Sequence, residues 1–198
     1  MRLRRLLRGG SLANEQLTAV VAAVLLPLLA AEGATLLNIR GLLNVHAFIG
    51  MLLIPVVAVK MASTGWRMAR YYTGGEEYVR RGPPTILIRM LVAPVVIAST
   101  VVLFGTGVAL LAVDQTQGML VGLHKASFVV WFGAMSVHVL TRLPVLIRAL
   151  RHRLPGNVVR VALATLSVVA GVGLAMLTLP QVDHLQDNVS SQVGFDGG

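Results

Sequence analysis

Residues 117–150 read QGMLVGLHKASFVVWFGAMSVHVLTRLPVLIRAL, an apolar run long enough to cross a bilayer that carries two histidines, His124 and His138. Fourteen residues separate them, and at about 3.6 residues per turn this spacing returns both imidazoles to nearly one face, about 21 Å apart along the axis. Ionisable groups inside a membrane span are costly, turn toward the protein interior and mark function. The stretch therefore fixes a membrane helix and raises the question of what its histidine stripe binds.

The rest of the chain agrees with a membrane setting. Of its 198 residues, 56% are hydrophobic and 13% charged, outside the range of soluble globular domains. There are no cysteines, so no disulfide framework, thiolate zinc site or cysteine-held iron–sulfur cluster can form. The net charge of +9 would point to nucleic acid in a soluble protein. Here the basic residues sit between apolar spans and act as topology signals, so no nucleic-acid partner is expected. Fifteen of the seventeen basic residues are arginine, and the two lysines are Lys60 and Lys125. This usage fits a GC-rich bacterium and its plasma membrane.

Hydropathy predicts an all-α, polytopic bundle of five transmembrane helices over residues 17–37, 42–63, 85–113, 118–141 and 157–179. The leader with Arg2, Arg4, Arg5 and Arg8 precedes an apolar run too long for an ordinary signal core. Pro83 and Pro84 suit the start of the third span. Thirteen of the fifteen arginines fall in the leader, in residues 65–82 and in residues 142–160. The other two connections and the tail hold one between them, Arg40. Positive-inside placement then puts the N-terminus inside and the C-terminus outside. Trp66, Tyr71, Tyr72 and Tyr78 fall where an inner aromatic belt is expected. One bundle accounts for residues 1–180, and residues 181–198, with Asp183, Asp187 and Asp196, read as a flexible extracytoplasmic tail.

With one span between them, the second and fourth spans run in the same direction. His46 lies near the outer end of the second and His124 near the outer end of the fourth. Two such histidines can supply both axial nitrogens of a haem iron. Fourteen residues beyond His46 stands Lys60, as His138 stands beyond His124, so the two helices offer an outer level and an inner one. Gly33 in the first span and Gly105 and Gly107 in the third lie at the outer level, where small side chains make room for a porphyrin or simply allow close helix packing. Lys60 either ligates as a neutral amine or reaches the inner interface toward a lipid phosphate or a propionate. Trp131 lies between the levels, packing between two haems or filling the space of the second. Arg40 outside, and Arg67, Arg70 and Arg142 inside, are candidate propionate partners. Glu32 reads as an interfacial residue, with proton handling as the alternative; His152 reads as a solvated basic-loop residue and His184 as too isolated for a metal site.

This pattern, LNVHAFIG around His46 and GLHKASFVVWFGAMSVHV around His124 and His138, resembles the cytochrome b class of membrane haem proteins. The resemblance covers residues 17–150 and implies b-type haem held between parallel helices, one or two per chain, with His46, His124 and His138 as metal ligands. Lys60 stands where that class has a fourth histidine. It further implies an electron-transfer subunit, a cytochrome and membrane anchor for a quinone-linked oxidoreductase with an extracytoplasmic redox partner. No GxGxxG or P-loop pattern occurs in the chain, so dehydrogenase chemistry would belong to another subunit. The alternative expectation is a haem-free membrane protein whose intramembrane histidines and Lys60 conduct protons or a small solute.

Overall fold

The structure is a computed structural model that describes residues 11–80, 82, 88–151 and 157–195. Arg2, Arg4, Arg5, Arg8, Pro83, Pro84, His152 and Asp196 lie outside the described residues. Among the described residues seven α-helices follow one another: α1 Ser11–Thr35, α2 Leu43–Tyr72, the short α3 Glu76–Arg80, α4 Ala93–Ala112, α5 Met119–Arg151, α6 Asn157–Leu177 and α7 Leu179–Phe195. No strand occurs among the described residues, and five of the helices are long and apolar enough to cross a membrane. A bilayer makes this the economical solution, because a helix satisfies its backbone polar groups within one segment.

Four helices form a ring in which α1 packs on α2, α2 on α4, α4 on α5 and α5 on α1. The helices that carry His46 and the His124 and His138 pair, α2 and α5, thus lie across the ring from one another. Outside it, α6 packs against α2 and α1. The closest approach is at Gly171, where a Cβ atom would strike the carbonyl oxygen of Leu52 and lie 3.0 Å from its carbonyl carbon. Ala164, Gly171 and Ala175 are buried and lie at helical spacing, a stripe of small residues that lets two backbones meet without a gap.

The ends of the bundle differ chemically. At the arginine-rich end, the Ser11 backbone N–H donates to Glu77 Oε2 at 2.9 Å and Arg160 Nη1 to Gln16 Oε1 at 2.6 Å, joining α1 to α3 and to α6. Trp66 and Tyr72 are exposed there, whereas Tyr78 is buried. At the arginine-poor end, Gln186 Nε2 donates to the Arg40 carbonyl at 3.1 Å, and Asp114 Oδ2 accepts from Asn188 Nδ2 at 2.6 Å and meets His184 Nδ1 at 2.8 Å. Asp114 itself has φ 52°, a left-handed conformation that aspartate tolerates better than most residues.

Several helices outrun the apolar segments that announce them. α2 continues to Tyr72 and α5 to Arg151, because helix geometry does not stop where the hydrocarbon does. The tail departs furthest from expectation. Residues 179–195 form α7, with Val182 and Leu185 buried in a cluster with Met51, Leu52, Leu111 and Ala175. The apolar side chains at three-residue spacing dock the segment against α2 and α4, so the expectation of a flexible tail is corrected over these residues. Val182→Asp would put an unpaired carboxylate into that cluster, at a cost of several kcal/mol. The expected outcome is protease cleavage within residues 179–195 at concentrations that leave the native chain intact.

Candidate functional site

His46 is the fourth residue of α2 and His124 the sixth of α5. Each ring meets, through Nδ1, a hydroxyl on a neighbouring helix. His46 Nδ1 lies 2.9 Å from Thr35 Oγ1 and 3.0 Å from Glu32 Oε1. His124 Nδ1 lies 3.0 Å from Thr106 Oγ1.

Each threonine hydroxyl also lies within donating distance of a backbone carbonyl, and the tautomers follow when its hydrogen goes there. Thr35 Oγ1 donates to the Glu32 carbonyl at 2.6 Å, and Thr106 Oγ1 donates to the Val102 carbonyl at 2.7 Å. Each hydroxyl has one hydrogen, so toward its imidazole it can only accept. The Nδ1 atoms of the neutral rings therefore carry the protons, an assignment drawn from the hydrogen-bond network. Each Nε2 is left with an available lone pair, and neither makes a hydrogen bond among the described residues. This is the arrangement by which a second-shell acceptor orients a metal-binding histidine and raises its basicity.

Gly107 belongs to this site for a steric reason. A Cβ there would meet His124 Cε1 at 3.3 Å, so glycine lets the ring lie against α4. Gly33 and Gly105 have nothing within 4 Å of an added Cβ. They do not serve close helix packing within this chain. Glu32 comes from the wall of α1: its Oε1 lies against Gly50, whose added Cβ would meet it at 3.5 Å, while Oε2 is buried without a hydrogen-bond partner. Arg40 is exposed at the same end, its carbonyl taken by Gln186.

The second level is built differently. Lys60 Nζ donates to the Thr18 carbonyl of α1 at 2.8 Å. Thr18 and Ser63 meet through their hydroxyls at 3.0 Å, and Asn14 Nδ2 donates to the Ser63 carbonyl at 2.9 Å, so Lys60 belongs to a polar seam between α1 and α2. His138 Nδ1 is buried without a hydrogen-bond partner. Between the levels, Trp131 is turned to α4, where its indole N–H donates to Thr100 Oγ1 at 3.0 Å, and it stacks on Phe128.

The structure thus seats His46 on Thr35 and Glu32, His124 on Thr106 and against Gly107, and Lys60 on Thr18. Glu32 and Thr35, three residues apart near the end of the first span, and Thr106 beside Gly107 are contributors that hydropathy and histidine spacing did not reveal. Among the described residues no three or more His, Cys, Asp or Glu side chains gather as a metal-ion site. Haem iron needs only two axial donors from the protein. Neither a family model, nor a curated protein, nor a solved structure matches the chain.

Proposed function

We propose that the chain is a membrane b-type cytochrome that holds one haem between α2 and α5 through Nε2 of His46 and His124. The observation that carries this reading is the pair of seats: two imidazoles on helices that lie across the ring from one another, each with Nδ1 at about hydrogen-bonding distance from a threonine hydroxyl and Nε2 without a hydrogen bond among the described residues. The donor set fits the group, and Gly107 lets the His124 ring lie close to α4. A haem held by these two histidines would supply one-electron storage, which suits electron transfer rather than oxygen binding.

The chain's own residues orient and insulate. Thr35 and Thr106 fix the imidazole planes, and Glu32 offers a carboxylate acceptor behind His46. Lys60 keeps its protons to donate to the Thr18 carbonyl, so the reading leaves it out of the ligand set and counts one haem. By the positive-inside rule the arginine-rich end faces the cytoplasm, giving an inside N-terminus and an outside C-terminus in a bacterial plasma membrane. The haem level then lies at the outer side. The partners that follow are a quinone in the bilayer and a redox protein outside it, with this chain as cytochrome and anchor subunit.

Reduced-minus-oxidised optical spectroscopy of the purified, haem-supplied protein tests the reading. Sharp b-type bands are expected; a well-folded protein without haem absorption contradicts it and favours proton or solute conduction by the same residues. Thr106→Val is nearly isosteric and removes only the acceptor for His124 Nδ1. Loss of such a partner costs roughly 10–100-fold in metal-site affinity, so haem transfer to a soluble acceptor protein is expected to accelerate by about tenfold or more.

A further inference from the structure

The last helix bridges the two outer connections of the ring. Only Thr178 separates α7 from α6, and Pro180 in the first turn of α7 has no N–H with which to carry the preceding ladder onward. At about 100° per residue, Val182 and Leu185 make an apolar stripe, with His184 and Asn188 on one flank of it and Gln186 on the other. The stripe is buried in the cluster with Met51, Leu52 and Leu111. The flanks reach different loops. Asp114 Oδ2, five residues before α5 begins, lies 2.8 Å from His184 Nδ1 and 2.6 Å from Asn188 Nδ2. The Arg40 carbonyl, three residues before α2 begins, accepts from Gln186 Nε2 at 3.1 Å. One helix thus ties together the connections that lead into the helices carrying His46 and His124.

Packing alone does not hold the Asp114 end. A cavity of about 340 Å³ lies there between the end of α4 and the start of α7, lined by Leu111, Ala112, Asp114, Pro180, Gln181 and His184. Where side chains leave that space unfilled, the two bonds to the Asp114 carboxylate carry the attachment. We infer that α7 is a brace: through Asp114 and the Arg40 carbonyl it fixes the separation of the outer ends of α5 and α2, and with it that of the His124 and His46 imidazoles. His46 stands six residues beyond Arg40 and His124 ten beyond Asp114, so displacing either connection displaces the ring that follows it. The brace itself is independent of any ligand; its consequence for haem rests on the cytochrome reading. Two axial donors serve one iron only when both reach it at once, and a supporting shell loosened by about 1 Å is enough to spoil such a site.

The chain has no cysteines of its own, so spin labels can be placed at Val45→Cys and Met119→Cys, both exposed near the starts of α2 and α5. Double electron–electron resonance on the full chain in detergent is expected to give one narrow distance. His184→Ala combined with Asn188→Ala removes both donors to Asp114 without lowering helix propensity, and should broaden or shift that distance. Asp114→Asn keeps an acceptor oxygen and tolerates the φ of 52°, so it should retain the narrow distance, as should Asp183→Ala at an exposed position of the same helix. Melting curves establish that the variants fold. In the unlabelled, haem-supplied protein the double variant should show a partly high-spin spectrum and about fivefold faster haem transfer to a soluble acceptor, the equivalent of one lost hydrogen bond. An unchanged distance in the double variant, or equal broadening in Asp183→Ala, overturns the brace. A distance loosened only in the double variant of a chain that binds no haem upholds the brace and overturns the cytochrome reading instead. Wild-type spectrum and transfer rate despite a broadened distance overturn the link from the brace to the imidazoles.

Discussion

His124→Gly is expected to empty the proposed haem site, and millimolar imidazole is expected to refill it. The substitution removes the ring that lies against Gly107 and leaves the Thr106 hydroxyl with its hydrogen still given to the Val102 carbonyl. That hydroxyl remains an acceptor, so a free imidazole entering the gap finds the partner that held the native ring and turns its second nitrogen inward. A protein retaining one axial donor, His46, should bind haem weakly and in a high-spin form. The spectrum should return to the low-spin b type as imidazole is added. The same rescue should be poorer in His124→Gly combined with Thr106→Val, where the added ring has no acceptor. Wild-type haem content and spectrum in His124→Gly without imidazole would contradict the ligand assignment.

The second large effect concerns the packing that holds α2 in place. By helix propensity alone, Gly171→Ala should be favourable by about 1 kcal/mol. The structure reverses the sign. The first added atom would collide with the backbone carbonyl of Leu52, which cannot swing aside as a side chain can. Overpacking of this kind costs typically about 1–3 kcal/mol, and here α6 must move off the helix that carries His46. Gly173, two residues on, has nothing within 4 Å of an added Cβ. Gly173→Ala is therefore expected to be neutral or mildly stabilising, and Gly171→Ala to lower the melting temperature in the same detergent. Equal melting of the two variants would show that α6 does not approach α2 as described.

These two predictions draw on different kinds of legibility. The spans were readable because hydropathy and the 3.6-residue period are properties of a single helix. They place His46 and His124 at one depth before any packing is known. The seats of the imidazoles were not readable. Thr35, Glu32 and Thr106 act across helix boundaries, and the rotation of one helix against another does not show in the period of either. Gly171 is similar: a glycine in an apolar run could face lipid as well as a neighbour, and Gly173 in the same run has open space. The tail was misjudged for another reason. Its aspartates set the average polarity, yet Val182 and Leu185 already carry a helical apolar stripe, and it is the stripe that docks α7. Lys60 shows the limit of a pattern match, since its spacing from His46 placed it opposite His138 while its ammonium bonds to the Thr18 carbonyl on α1.

The central claim is tested most directly by counting haem per polypeptide in the wild type and in His46→Ala, His124→Ala, His138→Ala and Lys60→Ala. The account predicts one haem per chain in the wild type, in His138→Ala and in Lys60→Ala, and its loss in His46→Ala and in His124→Ala. Two haems in the wild type, with one lost from Lys60→Ala or His138→Ala, or a content indifferent to His46 and His124, would contradict it.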